Sequence, residues 1–171
     1  YAFVLIISLI IISVLAWIEF YALISKIFIK NNLTQKVLRF LLKALSLLYL
    51  SILTYSILIS TFSSNDVKTY LFYSILVSVL SDIGGLIVGK TVKGKKLTSI
   101  SPNKTVSGSI GSFIFALFLV PFFSKYFYLY ELSSLIIITI LISFTSQLGD
   151  LFISLLKRKA KVDDTSNLLP G

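Results

Sequence analysis

Five long apolar runs dominate the chain, at residues 2–25, 41–61, 70–89, 102–123 and 132–156, each bounded by a short polar or charged stretch. A bilayer hydrocarbon core is about 30 Å thick and takes about 20 apolar residues in a helix to cross. Each run is long enough, and only a helix satisfies its own backbone hydrogen bonds within such a segment. The pattern therefore predicts an all-α, polytopic integral membrane protein, with one transmembrane helical domain over residues 1–171 and about five spanning helices. The chain begins at Tyr1 without a methionine and stops at Gly171 after LLPG, as expected of an internal piece of a longer protein.

Composition narrows the class further. Of the 171 residues 56% are hydrophobic and 13% charged, about half the charge of a typical soluble domain, which excludes a soluble enzyme, a disordered tail and a nucleic-acid-binding domain. There is no Cys and no His, so thiolate and imidazole chemistry and Cys/His zinc sites are excluded. The net charge of +9 is unevenly placed: fourteen of the sixteen Lys and Arg fall in the segment from Lys26 to Lys43, the loop from Lys90 to Lys104 and the tail from Lys157, leaving Lys68 and Lys125 on the other side. Cytoplasmic loops carry this excess, so the first helix should start outside and the chain should end in the cytoplasm. Tyr70, Tyr73, Tyr126, Tyr128 and Tyr130 fit an aromatic belt at the outer interface, as Trp17 and Tyr21 do toward the inner one. The glycosylation patterns at Asn32 and Asn103 fall in loops assigned to the cytoplasm and read as chance.

Three acids lie inside spans, where a carboxylate at a helix centre costs about 2.5–3.5 kcal/mol on insertion scales. Glu19, Asp82 and Asp150 each precede a cytoplasmic base by seven or eight residues, or roughly 10–12 Å of helix, so the three can meet at one depth. Ser74, Ser78, Asp82, Gly85 and Gly89 form one stripe at helical spacing, and Ser143, Gln147, Asp150, Ser154 and Lys157 another. Such stripes either pack helices together or line a wet cavity. Packing suits the serines and glycines better, and a cavity suits the aspartates. In the loop KTVKGKKLTSISPNK, Ser101 is a good N-cap and Pro102 a good first helical residue, which places Lys104 and Thr105 in the first turn and makes an anion site at the membrane surface. GGLIVGKT, residues 84–91, matches the P-loop pattern but ends a membrane span instead of following a strand, so it reads as a decoy in which Lys90 can still reach a phosphate.

SDIGGLIVGKTVKGKKLTSISPNKTVSGSIG, residues 81–111, and LGDLFISLLKRKAKVDDTSNLLPG, residues 148–171, together resemble the phosphatidate cytidylyltransferases (CDP-diacylglycerol synthases). The first matches an intramembrane Asp followed by Gly-Lys, a basic loop and S-P-x-K-T-x-x-G; the second matches G-D-L-x-x-S-x-x-K-R leading to P-G. IEFY, residues 18–21, is similar to a short Glu-aromatic element of an early helix. The two long segments cover about 55 residues. Where the family has Lys-Asp this chain has Asp163 and Asp164, of which Asp164 aligns with the usual acid. The family pattern continues past the Pro-Gly into His-Gly-Gly and two further aspartates, where metal ligands are expected.

The resemblance implies a Mg²⁺-dependent nucleotidyltransferase that moves CMP from CTP to phosphatidic acid, releasing pyrophosphate and CDP-diacylglycerol for phospholipid biosynthesis, with a second cation also open. It implies Asp150 and Asp82 as catalytic and metal-binding groups and Lys104 as catalytic. Ser101, Thr105, Lys90, Ser154, Lys157, Arg158 and Asp164 are expected to bind substrate, although charge alone reads Lys157 and Arg158 as a stop-transfer anchor. The expected partners are CTP, phosphatidic acid and membrane lipid, with no nucleic acid and a homodimer left open, in a bacterial inner membrane with the site facing the cytoplasm. Two alternatives remain: a related CTP-dependent lipid transferase with another acceptor, and a transporter or ion channel.

Overall fold

A computed structural model of the chain describes residues 2–29, 32–99, 101, 103–127 and 131–162. These residues form α1 (Ala2–Ile27), α2 (Leu33–Phe62), α3 (Asn65–Thr91), α4 (Val106–Leu117), α5 (Val120–Phe123), a 3₁₀ turn (Ser124–Tyr126) and α6 (Leu132–Ala160), with no strand among them. Among the described residues, five stretches are long and apolar enough to cross a membrane, the fourth running from Val106 through the α5 region to Tyr126. This is the all-helical, five-span architecture expected from the apolar runs. Helices α2, α3 and α6 extend past those runs into their polar flanks. The fourth span breaks after Leu117 because Pro121 has no N–H to give the preceding turn.

The chain divides into two compact units, Tyr1–Ser63 with Leu156–Gly171, and Ser64–Leu155. In the first, α1 and α2 run antiparallel: Thr54 donates to Ser13 at 2.9 Å, the Lys43 ammonium lies 3.3 Å from the Tyr21 ring centroid, and Arg39 reaches the Phe28 carbonyl at 3.4 Å. Leu23 packs there with Leu156 and Ala160 at the end of α6. Tyr21 thus meets a cation across the helix pair, an attraction of about 0.5–2 kcal/mol depending on desolvation.

The second unit is built on the contact between α3 and α4. A methyl added at Gly111 would lie 2.5 Å from the Val88 Cβ and 2.9 Å from the Gly84 carbonyl oxygen, and one added at Gly84 would lie 2.6 Å from Phe115. Small residues let backbones approach this closely, which is how spanning helices gain packing energy when lipid removes the hydrophobic drive between them. Helix α6 joins through side chains and runs parallel to α3: the Tyr73 and Thr139 hydroxyls meet at 2.6 Å, and those of Ser81 and Ser143 at 2.8 Å. Tyr73 is buried among Val77, Phe123 and Phe127, which corrects its reading as an interfacial anchor. A phenol one helix away from a partner hydroxyl is satisfied inside the bundle and needs no headgroup. Tyr126 is exposed as expected, and Tyr128 and Tyr130 lie outside the described residues.

Gly111→Ala should therefore lower stability by about 1–3 kcal/mol, the usual cost of overpacking, in reversible unfolding of the purified protein from detergent. Gly149→Ala, where an added methyl meets nothing within 4 Å, should leave it unchanged or slightly raised.

Candidate functional site

The basic loop folds back on itself before α4 begins. Leu97 N–H donates to the Lys104 carbonyl at 2.8 Å and Val106 N–H to the Lys95 carbonyl at 3.0 Å, so Lys96 and Thr105 form a short antiparallel bridge. The pairing holds Thr105 extended, at φ −114° and ψ 156°, and its hydroxyl caps the helix by accepting from Gly108 N–H at 3.0 Å. This corrects the expected helix start. Ser101 is not the N-cap; its carbonyl accepts from Lys104 N–H within a turn, and Pro102 lies outside the described residues. Lys104 and Thr105 stand just before the first turn, not in it, because the bridge claims their backbone.

GGLIVGKT is continuous helix at the end of α3, so its match to a phosphate-binding loop is accidental. Its glycines serve the close packing instead: Gly85 faces Ser112 and Gly89 faces Thr105 and Gly108.

Between these elements lies a cavity of about 600 Å³ within the second unit. α3 contributes Asp82, Gly85, Leu86, Gly89 and Lys90. The loop and α4 contribute Leu97, Asn103, Lys104, Thr105, Gly108, Ser109 and Ser112, and α6 contributes Gln147 and Asp150. The Lys104 ammonium sits 2.8 Å from Asp150 Oδ2, and the charges of both act on Asp82, whose Oδ1 has the Ser146 hydroxyl 3.5 Å away. With 30% and 54% of the two side chains exposed, the ion pair is worth about 1 kcal/mol or less to stability. Its partners are therefore available to a ligand.

Five of the anticipated site residues, Asp82, Asp150, Lys104, Thr105 and Lys90, line this one cavity. Ser101 and Ser154 do not line it; the Ser154 hydroxyl donates to the Asp150 carbonyl at 2.8 Å, inside α6. Lys157 and Arg158 are in the last turn of α6 and, like Glu19 on α1, belong to the first unit. Asp164 lies outside the described residues. The cavity also holds polar residues that spacing did not assign to it. Gln147 was visible only as a member of the α6 stripe and Asn103 only as a glycosylation match.

Two carboxylates from separate helices on a polar wall suit Mg²⁺, which takes one or two carboxylates and completes its shell with water and substrate phosphates. The described residues contain no cluster of three or more acidic ligands that would hold an ion unaided.

The fold and cavity define a polytopic helical membrane protein that brings acids and lysines together at one end of its spans. The sequence pattern of the Cytidylyltransferase family matches residues 1–171, and the chain belongs to that family. It is similar to a phosphatidate cytidylyltransferase of Bacillus subtilis (strain 168), 41% identical over 111 residues, covering 60% of this chain and 39% of the relative. It is also similar to those of Staphylococcus haemolyticus (strain JCSC1435), 40% identical over 110 residues and covering 63% and 42%, and of Rickettsia bellii (strain RML369-C), 38% identical over 120 residues and covering 64% and 51%. The chain thus spans about half or less of the length of these relatives. No solved structure gives a significant match.

Lys104→Met should leave unfolding stability within about 1 kcal/mol of the parent, as expected for an exposed pair. A loss of several kcal/mol in the same detergent unfolding would make the pair structural instead.

Proposed function

We propose that the protein transfers the cytidylyl group of CTP to the phosphate of phosphatidic acid. The observation that carries this reading is the cavity in which Asp82, Asp150, Lys104 and Lys90 line the space beside the capped start of α4. The names of the relatives and the residues shared with the family's motifs support it.

The chemistry suits this inventory. A phosphatidate phosphate is already anionic near neutral pH, so its oxygen attacks the α-phosphorus without needing a strong base. An O–P bond forms as the bond to the β-phosphate oxygen breaks and pyrophosphate leaves. What the reaction lacks is charge neutralisation and alignment of two polyanions, the contributions that fixed cations and dipoles make best. Lys104 and Lys90 face the phosphates, and the capped start of α4 adds the positive end of a helix dipole. Asp150 and Asp82 would hold Mg²⁺, which when bound neutralises phosphate charge. Thr105 keeps the helix start in place by capping it. Lys104 leaves Asp150 for the phosphates as they arrive, exchanging one anionic partner for another. We place the protein in the bacterial inner membrane with this cavity open to the cytoplasm, because its rim belongs to one of the Lys- and Arg-rich segments.

Membranes carrying the intact protein should convert labelled CTP and phosphatidic acid to CDP-diacylglycerol, and a chelator should stop the conversion until Mg²⁺ is restored. Asp150→Asn should lower turnover at least about 100-fold, the scale seen when one preorganised electrostatic group is removed, with expression unchanged. Turnover equal to the parent would remove Asp150 from the chemistry.

A further inference from the structure

Two side-chain links join the α4 side of the cavity to α6. At the rim is the Lys104–Asp150 ion pair. About one turn deeper the Ser109 hydroxyl donates to the Gln147 Oε1, and the Gln147 Nε2 reaches the Ser143 hydroxyl at 3.4 Å. Ser143 in turn meets Ser81 of α3 at 2.8 Å. Gln147 is thus the middle of a neutral chain, Ser109 to Gln147 to Ser143 to Ser81, that crosses all three helices while one face of it lines the cavity.

The two links respond differently to a polyanion. A lysine beside incoming phosphates has a second anionic partner and can leave Asp150, so the outer link opens when the site fills. The inner link carries no charge and has no reason to exchange. While Lys104 serves the substrate, the Ser109–Gln147 bond remains to hold the wall that bears Lys104 and Thr105 in register with the helix that bears Asp150. Gln147 stands three residues before Asp150 on α6, and Ser109 four residues after Thr105 on α4, so a shift at the inner link is passed to both functional walls.

We propose that Gln147 is a positioning residue for cytidylyl transfer, setting through Ser109 the separation between the lysine-bearing wall and Asp150 after the ion pair has opened. This rests on the cytidylyl-transfer reading. A misplacement near 1 Å can cost about 100-fold in rate, so loss of the link should appear in kcat while CTP binding is retained.

The test uses the intact protein purified from membranes, with kcat and the KM for CTP measured for Gln147→Leu, Ser109→Ala and the double variant. Gln147→Leu should lower kcat about 10- to 100-fold with KM within about twofold. Ser109→Ala should do the same to a smaller degree, and the double variant should be no worse than Gln147→Leu because the same link is broken once. A kcat equal to the parent in either single variant overturns the proposal, as do additive losses or a raised KM without a kcat effect, which would mean direct substrate contact. If Gln147→Leu fails to accumulate, Ser109→Ala decides alone. A geometric readout separates this proposal from the reaction itself: with no native Cys in the sequence, Lys104→Cys with Asp150→Cys can be cross-linked by a short bismaleimide. Gln147→Leu should reduce cross-linking several-fold, and undiminished cross-linking overturns the positioning role even if the parent makes no CDP-diacylglycerol.

Discussion

The close approach of α3 and α4 is the constraint on which the second unit depends. In lipid, apolar side chains gain nothing by leaving their surroundings, so two spanning helices stay together through dispersion contacts and polar links alone. The Gly84 and Gly111 faces provide the first, with no room for a methyl on either. The same small residues that allow contact also leave the wall of the cavity low: Gly85, Gly89 and Gly108 line it where larger side chains would fill it. Packing and the opening of a site are thus two consequences of one glycine-rich surface.

Helix α6 is held differently. Its bonds to α3, from Tyr73 to Thr139 and from Ser81 to Ser143, are of a kind worth about 0.6 kcal/mol each on average in membrane proteins. That is little for stability, but a hydroxyl pair fixes a register that an apolar face would let slide. The arrangement suits a helix that holds Asp150 on the wall of the cavity. It also means that charge is concentrated at the rim of the cavity and neutral hydrogen bonds between the helices.

Much of this was legible in the residues. Apolar runs of spanning length anticipated the number of spans, because the bilayer leaves few alternatives for a backbone. Asp82 and Asp150 stood out because a carboxylate inside a span is costly, and their depth relative to Lys90 and Lys157 placed them near one end of their helices. The start of α4 was misplaced for a tertiary reason: Ser101 and Pro102 have good local credentials, but the pairing of residues 95–97 with 104–106 holds the chain extended until Thr105 can cap. Local propensity cannot register a partner nine residues away, as Lys96 is from Thr105. Tyr73 was misplaced for the same kind of reason, since its hydroxyl partner lies on another helix. Gln147 was visible in a stripe, but its bond to Ser109 exists only once α4 and α6 are adjacent.

The most direct measurement is an experimental structure of the protein with CTP bound in a lipid environment. A cytidylyltransferase built as described will show the triphosphate in the cavity between α3, α4 and α6, with Lys104 turned from Asp150 to a phosphate oxygen and Asp82 and Asp150 both facing the nucleotide. Nucleotide bound elsewhere, with the two aspartates turned apart toward hydrocarbon, would contradict it.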